Sequence, residues 1–168
     1  MKRILLLIAI TTAYPALARD TAPTMPIKAG IWVHSAIDKN GRVDTKGDIA
    51  ICETFTDLWR DIQQGEQGEG CGKTHIAMPG DQITTDQDCE DDMGNSRTSI
   101  THTHAVYVPI RAGAGPVTAY KVINTFTTKN HAGKITAQNQ ETSLHQWLQP
   151  CARSDAGKIY DRTRKQFN

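Results

Sequence analysis

No stretch of this chain is apolar for the roughly 20 residues that a bilayer-spanning helix needs, so no membrane span is expected. No Asn-x-Ser/Thr acceptor occurs, so glycosylation gives no sign of a eukaryotic secretory origin. The four cysteines contain no Cys-x-x-Cys pair. With 18, 17 and 61 residues between them, they do not form a tight metal-ligand cluster. No Gly-x-Ser-x-Gly nucleophile elbow is present, and no serine has a recognisable base nearby in sequence. Nor is there an excess of one charge: the 168 residues carry 19 basic and 18 acidic side chains. A near-neutral chain has no electrostatic footprint for nucleic acid or an anionic membrane surface.

The N-terminus, by contrast, is informative. Lys2 and Arg3 precede the apolar run Ile4 to Ile10, and Ala16-Leu17-Ala18 closes the segment. A charged n-region, a short h-region and an Ala-x-Ala site make a cleavable secretory signal peptide over residues 1–18, with Arg19 expected as the new N-terminus. No cysteine follows the site, so no lipid anchor is implied. Removing 18 of 168 residues leaves 150, one domain's worth. Losing Lys2 and Arg3 leaves 17 basic against 18 acidic residues, a net −1. The expected location is periplasmic, where cysteines oxidise.

Short β-type runs punctuated by turn signals fill the remainder. Ile31 to Ile37 and Val43 to Cys52 flank Asn40-Gly41, the strongest short hairpin signal. A two-residue turn there makes cross-strand partners sum to 81, so that Trp32 faces Ile49 and Gly30 faces Ile51. One short helix follows, capped by Thr54 or Thr56, with the apolar stripe Phe55, Leu58, Trp59 and Ile62, and ended at Gln64-Gly65. Further runs span Lys73 to Met78, Gln82 to Cys89, Thr98 to Ile110, Val117 to Thr128 and Ile135 to Leu148. Strands and helices do not alternate, which argues against a parallel sheet. The expected fold is mainly β: an antiparallel meander, a curved sheet or partly closed barrel with one short helix, stapled by disulfides. The domain is read as residues 19–151, with 152–168 as a basic, solvated tail.

Four cysteines allow three pairings. A three-residue turn at Pro79-Gly80-Asp81 makes partners sum to 160, which sets Cys71 opposite Cys89. Cys52 and Cys151 then pair by elimination.

Three motifs invite chemical readings. Gly68-Glu69-Gly70-Cys71-Gly72-Lys73-Thr74 resembles a phosphate loop, but three residues separate its glycines where four are needed, and it opens a strand rather than a helix. His102 and His104 lie two apart on a strand and so share a face, supplying two ligands of a possible metal site; His34, His75, His131 and His145 are candidates for a third. Asp86, Asp88, Glu90, Asp91 and Asp92 form an acidic cluster. Counted from Asp86, a calcium loop would need glycine at Asp91 and a bidentate acid at Arg97, so the pattern breaks.

Several features together resemble one family. They are the signal peptide, the opening Lys28-Ala29-Gly30-Ile31-Trp32, Ile51-Cys52 leading into a Thr-rich helix start, the Cys-bounded pair Cys71 and Cys89, and the late Cys151. The chain is similar over about residues 26–151 to domain-of-unknown-function family 3617, small exported proteins of Gram-negative bacteria. It departs in having Ala29 where proline is usual and in its long tail. The resemblance implies an envelope location and a β-rich domain, and carries no catalytic residue with it.

The functional expectation is a non-enzymatic envelope protein that needs no cofactor and holds a small apolar ligand or an envelope protein partner. Trp32, Trp59, Tyr120, Phe126 and Trp147 are its expected ligand face. The alternatives are a metal-binding protein using His102 and His104, and a small envelope enzyme with a dispersed site.

Overall fold

The computed structural model describes Met25 and residues 27–65, 69–92 and 98–168, with the backbone alone at 91, 92 and 98. The signal segment and its cleavage site therefore lie outside the described residues, as do Gly68 and the side chains of Asp91 and Asp92.

Seven strands form one antiparallel sheet: β1 (Gly30–Ile37), β2 (Val43–Glu53), β3 (His75–Ala77), β4 (Ile83–Asp92), β5 (Thr98–Ile110), β6 (Ala119–Asn130) and β7 (Ile135–Gln149). Their spatial order is β2-β1-β7-β6-β5-β4-β3. Strands β3 to β7 are the expected meander. The N-terminal hairpin then joins at its far side, β1 pairing with the last strand, β7. The sheet stays open, with β2 and β3 at its edges.

One helix, α1 (Phe55–Gln64), covers part of one face. Thr54 caps it: its hydroxyl accepts from the Asp57 N–H at 3.2 Å, and the Asp57 carboxylate accepts from the Thr54 N–H at 3.0 Å. This capping box satisfies two donors that the first turn would leave orphaned. Gly65, at φ 58°, ends the helix. Leu58 and Ile62 bury against Trp32, Ile83, Tyr120 and Val122, with Phe55 and Trp59 partly buried around them. Met25, Ile27 and Val117 complete this core, and Ile27 pairs with Val117.

The first hairpin differs from its expected register. Asp38 and Arg42 pair around a three-residue loop, with Gly41 alone at positive φ (77°), so the partners next to the turn sum to 80. Beyond a bulge the register changes. Trp32 lies opposite Ile51 rather than Ile49, and Gly30 opposite Glu53 rather than Ile51. The physical reason is the extra chain in β2: Thr45 to Asp48 lie where β1 has Ser35 alone, and Gly47 at φ 91° supplies the bend.

Both expected disulfides are present, Cys71–Cys89 and Cys52–Cys151. The β3–β4 register is one residue off the expected one: the Gln82 N–H donates to Pro79 O at 3.3 Å, so the turn is centred on Gly80-Asp81 and partners sum to 161 rather than 160. His75 is thereby paired with Asp86. Cys71 still falls opposite Cys89, because the chain between Cys71 and His75 absorbs the difference.

The basic tail is not a loose solvated end. After Cys151 the chain makes a short 3₁₀ turn (Arg153–Asp155) and a two-stranded hairpin, β8 (Tyr160–Asp161) and β9 (Gln166–Phe167). Gly157 N–H donates to Cys52 O at 2.8 Å, and Cys52 N–H donates to Lys158 O at 3.1 Å. Arg162 reaches Asp48, whose side chain is only 6% exposed, at 2.9 Å. Arg162 thus partners β2, while Lys158 and Arg164 pair within the tail with Asp155 and Asp161, and the tail shields part of this edge strand.

Candidate functional site

The five aromatic residues expected to form one ligand face are divided among different surroundings. Trp32 and Tyr120 are fully buried and pack together, with ring centroids 5.2 Å apart. Trp59 stacks on Phe55. Trp147 lies under the Lys28 ammonium at 3.4 Å and donates to Ala29 O at 3.2 Å. Phe126 borders a small cavity of about 240 Å³ beside Thr74, Thr85 and Thr103. Trp32 and Tyr120 therefore fill the core and Trp59 and Trp147 flank it, the usual fate of large aromatics.

A larger cavity, of about 620 Å³, lies elsewhere on the same face, between α1 and the strands β1, β6 and β7. Its wall is mixed: Ile37, Ile49, Leu58 and Val122 give it apolar surface, and histidines, tyrosines and carboxylates converge on it. His34 and His145 are paired across β1 and β7, with ring centroids 4.0 Å apart. Tyr120 stacks on the other side of His145 at 4.5 Å. His34 Nε2 is 3.0 Å from Glu53 Oε1, out of line for a hydrogen bond. Ser143 Oγ lies 2.8 Å from His145 Nε2. Tyr107 and Asp61 also contribute to the wall.

Several buried polar atoms here have no protein partner: Glu53 Oε2, Tyr120 Oη and His145 Nδ1. Each orphan of this kind costs on the order of 1–3 kcal/mol unless water or a ligand serves it. Burial pushes the His145 imidazole down to about 3, with the neighbouring charge of His34 adding to the effect. It therefore stays neutral at ordinary pH. Burial also raises the Tyr107 phenol to about 12, with Asp61 contributing, and holds the Tyr120 phenol well above its usual range.

The sequence contains a nucleophile–base contact that sequence reasoning missed. Ser143 and His145 are two apart on β7, so they share a face, as His102 and His104 do on β5. The contact still falls short of a catalytic triad. Among the described residues, the carboxylate that pairs with these imidazoles, Glu53, sits against His34, and His145 Nδ1 has no orienting partner. An imidazole that titrates near 3 is also a weak general base at neutral pH.

His102 and His104 lie on the opposite face of the sheet. They meet part of the acidic cluster there, which the sequence alone could not place. Asp86 Oδ1 is 2.7 Å from His104 Nδ1 and 3.3 Å from His102 Nε2, and Asp88 Oδ1 is 2.8 Å from His102 Nδ1. His75 is the register partner of Asp86 on β3. His34 and His145 belong to the cavity, and His131 to the β6–β7 turn. Among the described residues, no set of three or more His, Cys, Asp or Glu side chains has metal-ligand geometry. In the glycine-rich segment, the Gly72 N–H is used on Asp88 O and Gly70 O accepts from Glu90, so this backbone pairs with β4.

Comparison of the chain with protein-family models, with curated proteins and with solved structures finds no match. Two disulfides accord with an oxidising compartment. No helix among the described residues is long and apolar enough to cross a membrane.

Proposed function

We propose that this chain is an exported periplasmic protein that binds a small molecule, without catalysis, in the cavity between α1 and the sheet. The observation that carries the reading is the cavity itself. About 620 Å³ falls within the range typical of small-molecule sites, and a few polar groups converge on its wall. The orphaned atoms of Glu53, Tyr120 and His145 support binding, and the depressed basicity of His145 argues against acid–base chemistry. The ligand combines an apolar body with a polar group, because Ile37, Ile49, Leu58 and Val122 line the space together with histidines, tyrosines and carboxylates. Placement in domain-of-unknown-function family 3617 belongs to the same proposal and rests on the cysteine spacing and the opening Gly30-Ile31-Trp32.

Fragment screening by amide chemical-shift mapping tests the binding reading. Hits are expected to move the amides of His34, Ser143 and His145, and Ser143→Phe, which fills the space, is expected to abolish them. A screen whose hits all map elsewhere would refute it. Export has its own test: N-terminal sequencing of periplasmic material is expected to begin at Arg19. An intact Met1 would end the exported reading.

One observation favours a second reading, a divalent metal at His102 and His104. Asp86 touches both imidazoles and so offers a third donor. These groups are roughly 40% exposed and already bound to one another, so a metal must displace those contacts. Calorimetry is expected to show Zn²⁺ binding no tighter than a few exposed donors provide. Sub-micromolar stoichiometric binding, lost in His102→Ala, would make metal the leading function.

A further inference from the structure

We propose that the ligand of this cavity is an organic cation, an amine or quaternary ammonium carried on an aromatic or alkyl body; this inference rests on the binding reading above. The argument is charge balance at the wall. Glu53, Asp61 and Glu141 line the cavity, and no lysine or arginine among the described residues does. Their internal partners are poor substitutes for a bound cation. Glu53 has His34 on one oxygen and nothing on the other. Asp61 has only the Arg60 Nε at 4.0 Å, and Arg60 is already committed to Asp57 at 2.8 Å. Glu141 accepts from the neutral Asn139 amide at 3.3 Å.

Glu53 is the decisive group. It is only 8% exposed, so its charge is poorly solvated and a buried carboxylate of this kind calls for a counter-charge. The rings of Tyr107, Tyr120, His34 and His145 supply π surfaces, the other half of a site for an organic cation. The carboxylate field reaches these rings, because Asp61 and Glu53 contribute to the raised phenol pKa values. A bare metal ion does not suit the space. The volume far exceeds one ion, and no three ligating groups among the described residues have coordination geometry. Anionic ligands meet three carboxylates with no cation to receive them.

Calorimetry with tryptamine, tryptophol and indole-3-acetate tests the inference, since the three share one indole body and carry charges of +1, 0 and −1. Tryptamine is expected to bind at least about tenfold more tightly than tryptophol, a difference of about 1.4 kcal/mol. Indole-3-acetate is expected to bind weakest. Glu53→Gln is expected to erase most of the tryptamine preference while leaving tryptophol unchanged. Asp61→Asn, an exposed change on α1 that does not threaten folding, is expected to reduce it several-fold. Equal affinity of tryptophol and tryptamine would overturn the cation and leave the binding reading standing. Tryptamine binding indifferent to both variants would place it elsewhere and overturn the inference. Binding by none of the three would also overturn it, while the fragment screen decides the cavity separately.

Discussion

Replacing both Cys52 and Cys151 with alanine is expected to cost about 4–5 kcal/mol of stability, and replacing both Cys71 and Cys89 about 3 kcal/mol. The difference comes from the unfolded state. The first bridge closes a sequence separation of 99 and the second one of 18, and the entropy a cross-link removes grows with the logarithm of the loop it closes. The native structure adds to the asymmetry. Cys151 fixes the point where the tail leaves β7, and the tail's hydrogen bonds to Cys52 N–H and O depend on that anchor. The Cys52/Cys151 variant is therefore also expected to expose the segment from Arg153 onward to proteolysis. Urea unfolding of the oxidised wild type and both double variants measures the costs. A larger loss from opening the Cys71–Cys89 loop would show that chain entropy does not set the ranking.

The second large effect is acid sensitivity centred on His145. Its folded pKa is near 3, against about 6.5 in an unfolded chain. Between these values the unfolded state binds a proton that the folded state refuses, so acid favours unfolding. The stability linked to this group is complete above about pH 6.5 and falls as the pH drops towards 3. Over pH 7 to 4 the full linkage amounts to a little over 3 kcal/mol; the ring is only partly enclosed, and about 2–3 kcal/mol is a fair expectation after solvent screening. His145→Gln keeps a neutral polar side chain and removes the titration. Wild type is thus expected to lose about 2–3 kcal/mol more than His145→Gln between pH 7 and pH 4, measured by urea unfolding at several pH values. Carboxylates with lowered pKa values, such as Asp57, contribute equally to both proteins and cancel in the comparison. Parallel stability curves for the two proteins would show that His145 is protonated freely in the folded state.

Local rules account for what the chain determined by itself. Alternation and turn residues gave every long strand, because a strand's period and its Gly/Asn/Pro punctuation are written in adjacent residues. Thr54 or Thr56, with Asp57 in the first turn, marked the helix start, because a cap is written within a few adjacent residues; the structure chose Thr54. The cysteine pairing came out as expected although the turn did not: the β3–β4 register is one residue off, the chain between Cys71 and His75 restores the match with Cys89, and with one bridge fixed the second followed. The register of the first hairpin was not legible, because Asn40-Gly41 serves a three-residue loop as well as a two-residue one, and the inserted Thr45 to Asp48 bulge shifts every partner beyond it.

What only the tertiary structure decided was which distant side chains meet. The placement of β1 beside β7 juxtaposes residues about 110 apart, and with it come the His34–His145 stack and the cavity above it. The β4–β5 pairing likewise sets Asp86 between His102 and His104. The tail's return to Cys52 is a third case, since its basic residues look solvated until Asp48 and the edge of β2 are beside them. The physical reason is common to all three. Secondary structure follows from neighbours along the chain, whereas a site is an intersection of strands, and the order in which strands assemble is chosen by burial of the whole face rather than by any local pattern.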